Sequence, residues 1–254
     1  MKIKLLLKFI RLKIIFLPIF IILHYFSFAQ SEDDQDLALH YFMQGEFLLK
    51  QGNYASAVLE LQEAIDLDPN VSTIHVSIAD AYRRLGKNRR AEIHLDIAVD
   101  LNPKEVEAHE LLGQLFISQK RFLEAENTYN ELNRIEPDNI DYIFGLADIC
   151  RIQKKWDNAI NYYIEAYKIN PDLLSALENA IQIAIATNDY SKSEEICELL
   201  IIENPTSTKY LEMLKDLALY NNKYDKALDI IEKLEQLEEP NQKFFLQKSA
   251  IYHQ

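Results

Sequence analysis

Few side chains in this sequence have the type and spacing that catalysis or metal binding requires. His109-Glu110 begins like the His-Glu-x-x-His helix of zinc proteases, but Gly113 stands where the second histidine is needed. His75 lies 34 residues before His109, and histidines on neighbouring helices about 8–10 Å apart could approach each other. This pair lacks a third ligand, and His94 has no such counterpart. We therefore predict no enzyme activity, no catalytic residue, no metal and no cofactor.

The charge of the chain restricts its partners. The formal net charge is −13, and the segment before residue 30 holds five bases and no acid, so the rest is more acidic still. Such a body repels the phosphate backbone of nucleic acids and the surface of anionic membranes. Acidity also favours solubility on its own. We predict that the partners are protein or peptide segments of basic or mixed charge, with no nucleic acid among them.

Composition indicates a mostly helical protein with a substantial core. Only 5 Gly and 7 Pro interrupt the chain, and 48% of its residues are hydrophobic. Cys150 and Cys197 both fall at apolar positions of predicted helices. This placement favours two small core residues, although the sequence leaves a disulfide open.

The prolines divide most of the chain into units of equal length. Pro69, Pro103, Pro137, Pro171 and Pro205 follow one another at intervals of 34 residues, and Pro240 follows after 35. Aligned on these prolines, six units begin at Ala38, Ser72, Val106, Ile140, Leu174 and Thr208. A proline holds the preceding residue outside the helical region, so each one ends a helix and can open the next.

Each unit contains the signals of two helices that pack closely. Its twentieth position is always small, with Ala57, Ala91, Ala125, Ala159, Ser193 and Ala227. Its eighth position is small in the first four units but is Ile181 and then Lys215 in the last two. Small residues let two helices approach. Position 15, between the helices, carries Gly52, Gly86, Lys120, Lys154, Asn188 and Asn222. Gly and Asn accept the left-handed conformation that ends a helix.

This pattern resembles the tetratricopeptide repeat, a 34-residue helix-turn-helix unit. The resemblance covers about four fifths of the chain. It implies six repeats over residues 38–239 and an all-α, right-handed superhelical solenoid. Each hairpin has an apolar face that it cannot bury alone, so neighbouring repeats must stack. The resemblance also implies a concave surface lined by the first helices, where proteins of this family usually bind peptides or protein segments.

The N-terminus has the layout of an export signal. A basic stretch runs to Lys13, an apolar run follows from Ile14 to Phe26, and Ser27-Phe28-Ala29 has small residues at its first and third places. We predict a signal peptide over residues 1–29, an acidic leader over residues 30–37, and a location in the periplasm or cell envelope. The alternative is an uncleaved membrane anchor over residues 14–29, which would be the only membrane contact expected.

The end of the chain predicts one more helix. Apolar residues recur with helical spacing within residues 240–254. This segment is either a capping helix or the first helix of a truncated seventh unit.

Positions 2, 5, 9, 12 and 13 of each repeat line the groove in this family, which yields the candidate partner-binding residues. They are Phe42, Glu46, Leu49, Asp80, Arg83, Arg84, Glu107, Glu110, Gln114, Ile117, Asp141, Phe144, Asp148 and Arg151. Acids outnumber bases among them. The subclass that grips chaperone C-termini needs Lys and Asn where this chain has Phe42 and Glu46. Arg83 and Arg84 form a local basic spot that could hold one acidic side chain.

These observations leave two candidate functions. The first is an exported protein-interaction module, a scaffold or adaptor that binds a segment on its concave face. The second is the non-catalytic N-terminal part of a longer enzyme or sensor protein.

Overall fold

A computed structural model describes residues 33–238 and 242–253, and within these ranges every regular element is a helix. The predicted signal peptide lies outside the described residues, as does Pro240. The helices are α1 (33–50), α2 (Tyr54–Leu67), α3 (Ser72–Arg84), α4 (Asn88–Leu101), α5 (Val106–Ser118), α6 (Phe122–Ile135), α7 (Ile140–Ile152), α8 (Trp156–Ile169), α9 (Leu174–Ala186), α10 (Tyr190–Glu203), α11 (Thr208–Tyr220), α12 (Tyr224–Leu237) and α13 (Gln242–Tyr252).

The chain forms two compact units, and the division falls inside α5, between Leu115 and Phe116. In the N-terminal unit, α3 packs against both α2 and α4. In the C-terminal unit, α6 to α13 each pack against the next helix in the chain. The predicted starts of the second to sixth repeats coincide with the starts of α3, α5, α7, α9 and α11.

The turn inside each repeat has the predicted left-handed residue. Position 15 has a positive φ in all six repeats, including 60° at both Lys120 and Lys154. In the fourth repeat, the Lys155 amide donates to the Cys150 carbonyl at 2.9 Å and the Lys154 amide donates to the Arg151 carbonyl at 3.1 Å. These two bonds are the Schellman pattern that satisfies the last carbonyls of a helix.

The prolines lie in the turns between repeats. Asp68, before Pro69, has φ −136° and ψ 87°, outside the helical region, as predicted. The next helix begins only at Ser72. The expectation that the proline opens the following helix is therefore wrong, because two further turn residues intervene.

Small residues permit the close helix contacts that the repeat pattern predicts. Every residue at position 20 is fully buried. A Cβ placed on Gly45 would lie 2.5 Å from Leu61 Cγ, so only glycine fits there. Lys215, at the same repeat position as Gly45, is buried and forms ion pairs with Glu212 and, at 3.2 Å, with Asp216. A charge in this place is tolerated because both carboxylates compensate it.

The histidines make contacts that sequence reasoning missed. His75 Nε2 lies 3.0 Å from the Pro69 carbonyl and His75 Nδ1 lies 3.1 Å from His94 Nδ1. Since a carbonyl only accepts, His75 Nε2 carries a proton and donates to it. His94 has no histidine at the same position of the next repeat, as predicted, but it contacts His75 within its own hairpin. Burial, followed by the neighbouring His75, lowers the pKa of His94 to about 4.

Cys150 and Cys197 are both free thiols in the core, as the placement of the two residues favoured. Burial raises the pKa of Cys197 to about 12, so this thiol stays protonated. Across the described ranges, no helix has the length and apolar character needed to span a membrane.

Candidate functional site

In the N-terminal unit, the first helices of successive repeats bring predicted groove acids close to one another. The pKa of Glu107, on α5, is raised by partial burial and further by the carboxylates of Glu46, Asp80, Glu105 and Glu110. A raised pKa in the presence of several like charges shows that these groups repel one another. A basic side chain brought to this place would relieve the repulsion.

The predicted basic spot is compensated within the same helix. Asp80 accepts from Arg83 Nη2 at 2.5 Å and from Arg84 Nε at 3.3 Å. Both guanidinium groups therefore have an acidic partner already, which reduces what the spot can offer to an acidic ligand.

The other predicted residues of the first three repeats take ordinary surface positions. Phe42, Leu49 and Ile117 are half-buried, and Gln114 is exposed. They are available for contact with a partner.

In the C-terminal unit, two adjoining cavities run along α7. The larger, about 530 Å³, is lined by Ile140, Asp141, Phe144, Gly145, Asp148, Asn170 and Leu173. The smaller, about 380 Å³, is lined by Asp148, Arg151, Trp156, Asn179, Gln182, Ile183, Ala186 and Thr187. Asp148 lines both cavities, so the two adjoin at this residue, and we call them together the groove along α7. Four predicted site residues, Asp141, Phe144, Asp148 and Arg151, are thus brought together.

Asp148 is held by donors from α7 and α8. Its Oδ1 accepts from the Tyr163 hydroxyl at 2.6 Å and from Arg151 Nη2 at 3.1 Å. Burial and the Asp148 carboxylate raise the pKa of Tyr163 to about 12, so the phenol remains a donor. The carboxylate is therefore fixed where the two cavities meet.

Phe144 lines the larger cavity and packs against the buried Tyr163. Its ring meets the Tyr163 ring edge-on, with centroids 5.1 Å apart. Beside it, a Cβ placed on Gly145 would lie 2.5 Å from Tyr129 Cε1, so a larger residue would displace that ring. Phe144 thus presents one side of its ring to the groove on a rigid support.

Polar side chains close the junctions before and after this groove. Between the third and fourth repeats, Gln153 Nε2 donates to the Phe122 carbonyl at 3.0 Å and to Glu126 at 2.8 Å, and Lys155 Nζ contacts Glu126 at 2.6 Å. We call this set of a carboxamide, a lysine and a glutamate a polar bridge.

The polar bridge recurs between the fifth and sixth repeats. Asn221 Nδ2 lies 3.3 Å from the Tyr190 carbonyl and 2.6 Å from Glu194, which also pairs with Lys223 at 3.0 Å. Burial alone would raise the pKa of Glu194, but hydrogen bonds from Lys226, Asn221 and Lys223 outweigh it and lower the pKa to about 2.

Between the fourth and fifth repeats, the corresponding residues cannot form a polar bridge. Thr187 replaces the carboxamide, Asp189 the lysine and Ile160 the glutamate. The Thr187 hydroxyl instead donates within its own helix, to the Ile183 carbonyl at 3.0 Å. We call this junction, between Trp156 and the end of α9, the open seam, and the smaller cavity lies there.

Sequence reasoning missed the half of the groove that the fifth repeat contributes. Gln182 and Ala186 occupy positions 9 and 13, which the family pattern assigns to the groove. The sequence prediction of the binding surface covers the first four repeats only, because the fifth departs from the pattern at Ile181. Trp156 and Asn179 lie at positions that the family pattern does not assign to the groove.

Comparison with known proteins agrees with this architecture. Models of the tetratricopeptide repeat match residues 41–71, 76–140 and 140–173, together half of the chain. A tetratricopeptide repeat protein from Parabacteroides merdae shares the fold with a TM-score of 0.56 at 20% identity, over 85% of this chain and 86% of its own. Among curated proteins, no sequence relative matches.

Two further solved structures share the fold. The Pseudomonas aeruginosa protein PilF has a TM-score of 0.50 at 18% identity, over 87% of this chain and 99% of its own. A fragment of MamA from Desulfovibrio magneticus has a TM-score of 0.55 at 17% identity, over 68% and 98%. Identities this low show a common fold alone. With its repeat matches, its helix boundaries and its all-α solenoid fold, this chain belongs to the tetratricopeptide-repeat family.

Proposed function

We propose that this chain is an exported, non-catalytic protein-interaction module that binds an extended segment of another protein on the face formed by the first helices of its repeats. The segment is basic or mixed in charge. The observation that carries this proposal is the groove along α7, where two cavities meet at Asp148. A groove of this size, with apolar walls and a few fixed polar groups, suits side chains of a bound segment.

The acids of the N-terminal unit support the preference for a basic segment. Glu107 has several carboxylates as neighbours and a raised pKa. A cation that approaches this surface therefore reduces the repulsion among the carboxylates. The net charge of −13 also speeds encounter with basic partners.

A selection from a randomised peptide display library, performed on the purified chain, tests this function. We expect the enriched peptides to be net basic and to contain large apolar residues. Failure to enrich any peptide, or enrichment of acidic peptides alone, would contradict the proposed function.

Glu107→Gln tests the charge preference on an enriched peptide. Association should slow a few-fold at low salt and less at high salt, because exposed charges contribute little each and are screened. Glu63→Gln, an exposed acid on α2, is the control with the same change in net charge. An equal effect of both substitutions would show that only total charge matters.

Export has its own test. The three-zone N-terminus supports cleavage after Ala29, so the intact mass of protein recovered from cells should correspond to a chain beginning at Gln30. Recovery of the full-length chain in the membrane fraction would support the anchor over residues 14–29 instead.

A further inference from the structure

The open seam lacks the polar bridge that joins the repeats at the two neighbouring junctions. In those junctions a carboxamide, Gln153 or Asn221, donates to the carbonyl at the start of the preceding second helix. Trp156 occupies the same position at the open seam, where Thr187 is too short and is already bonded within α9. Thr187, at the position of the carboxamide, therefore lines the smaller cavity beside Trp156 without closing it.

We propose, resting on the function proposed above, that the open seam receives a large apolar side chain of the bound segment, while Asp141 and Asp148 hold a neighbouring basic side chain of the same segment. The occupant is thus a protein segment that carries a lysine or arginine beside a large apolar residue.

The walls of the open seam select an apolar side chain. The Trp156 indole is 37% exposed, and Ile183 and Ala186 provide further apolar surface. Covering such apolar surface with a partner side chain stabilises the complex. The carboxamides of Asn179 and Gln182 also line the cavity and have no hydrogen-bond partner among the described residues. They can donate to and accept from the backbone of an extended segment.

The adjoining cavity selects a base. Asp148 uses Oδ1 for Tyr163 and Arg151, and its Oδ2 has no hydrogen-bond partner among the described residues. Asp141 is exposed and forms no ion pair with the described residues. The groove thus holds two carboxylates against one guanidinium, Arg151, which is already paired. A lysine or arginine can lay its hydrocarbon stem along Phe144 and place its charge beside these carboxylates.

Trp156 makes the test specific to the site, because it is the only tryptophan in the chain. An enriched library peptide is titrated while Trp156 emission is recorded. We expect a saturable shift in emission as the apolar side chain covers the indole. In parallel, fluorescence anisotropy of the labelled peptide measures affinity independently of the site.

Two variants fill the cavity in different ways. The triple substitution Ile160→Glu, Thr187→Gln and Asp189→Lys builds the polar bridge of the neighbouring junctions. Ala186→Phe places a ring in the cavity from an exposed helix end. Both should weaken peptide binding at least about tenfold, since the apolar anchor contributes most of the affinity. Gln153→Thr, which removes a polar bridge from the preceding junction, should leave affinity unchanged.

The basic side chain is tested by a double-mutant cycle. Asp141→Asn and replacement of the basic residue in the peptide by alanine should each weaken binding about threefold, and the two together no more than either alone. Asp157→Asn is the matched control, because it removes an acid from the first turn of α8. This control should not change affinity.

The outcomes separate this inference from the proposed function. If peptides bind by anisotropy, yet Trp156 emission stays constant and both cavity-filling variants bind normally, the open seam is not the site and segment binding is retained. If the effects of the two charge changes on the binding free energy are additive, the pairing with Asp141 is wrong. If no peptide binds by either readout, the proposed function fails together with the inference.

Discussion

At the scale of single residues, a few buried polar groups couple the stability of the repeats to pH. Glu194 is 3% exposed, and its carboxylate is compensated by Lys223, Lys226 and Asn221. Hydrogen bonds to a charged group of this kind contribute about 1.5–3 kcal/mol each when the group is buried. The polar bridge therefore stabilises the junction of the fifth and sixth repeats through a single carboxylate.

Glu194→Gln should lower the free energy of unfolding by about 2 kcal/mol at neutral pH. The pKa of Glu194 in the folded chain, about 2, lies below its ordinary value of 4.5. Its contribution is thus present above pH 4.5 and is lost as the pH falls towards 2. Denaturant unfolding at several pH values should show a shallower acid dependence for the variant. Glu195→Gln, an exposed neighbour, should behave as the wild type.

His94→Gln tests the second pH-dependent group. Folding holds His94 neutral, because its pKa falls from 6.5 to about 4. The unfolded chain then binds more protons between these values, so stability should fall as the pH drops from 6.5 to 4 and change little from this source below 4. In denaturant unfolding, the free energy of unfolding of the variant should lack this decrease between pH 6.5 and 4. His40→Gln, at an exposed position, is the control, and an equal loss of slope there would contradict the assignment.

At the scale of helices, the repeat period predicted most of the structure because each period carries its own signals. The prolines end the second helices, and position 15 ends the first helices whether it is Gly, Asn or Lys. The open seam could not be predicted in the same way. It depends on side chains from two repeats, Ile160 and Thr187, that meet only after folding. The contact of His75 with His94 was missed for the same reason, because it joins two helices of one hairpin.

Lys154→Gly should stabilise the turn between α7 and α8. Lys154 has φ 60°, which costs a non-glycine residue about 1–2 kcal/mol. Glycine removes that cost but adds about 0.5–1 kcal/mol of backbone entropy to be lost on folding. The net gain should be about 0.5 kcal/mol, visible as a higher melting midpoint.

The opposite change provides the control for that turn. Gly86→Lys places a side chain at φ 71° with no atom within 4 Å of its Cβ, so any loss of stability comes from the backbone alone. If Lys154→Gly and Gly86→Lys both leave the melting midpoint unchanged, left-handed strain does not contribute at position 15.

At the scale of the whole molecule, the family assignment accounts for the arrangement of the helices. Over the described residues, the predicted repeats coincide with successive pairs of helices. The candidate residues that sequence reasoning placed on the first helices include four that line one groove in the C-terminal unit. The fifth repeat, which departs most from the pattern beside this groove, supplies its other wall. Departure from the repeat pattern therefore coincides with one wall of this groove.

Hydrogen–deuterium exchange of the chain, with and without a saturating library-selected peptide, shows where a partner segment binds. If the segment binds on the first helices with its apolar anchor at the open seam, we expect slower exchange in α7 and α9 and around Trp156. Exchange on the second helices α10 and α12 should change little. Protection confined to α10 and α12, with α7 and α9 unchanged, would contradict this binding site.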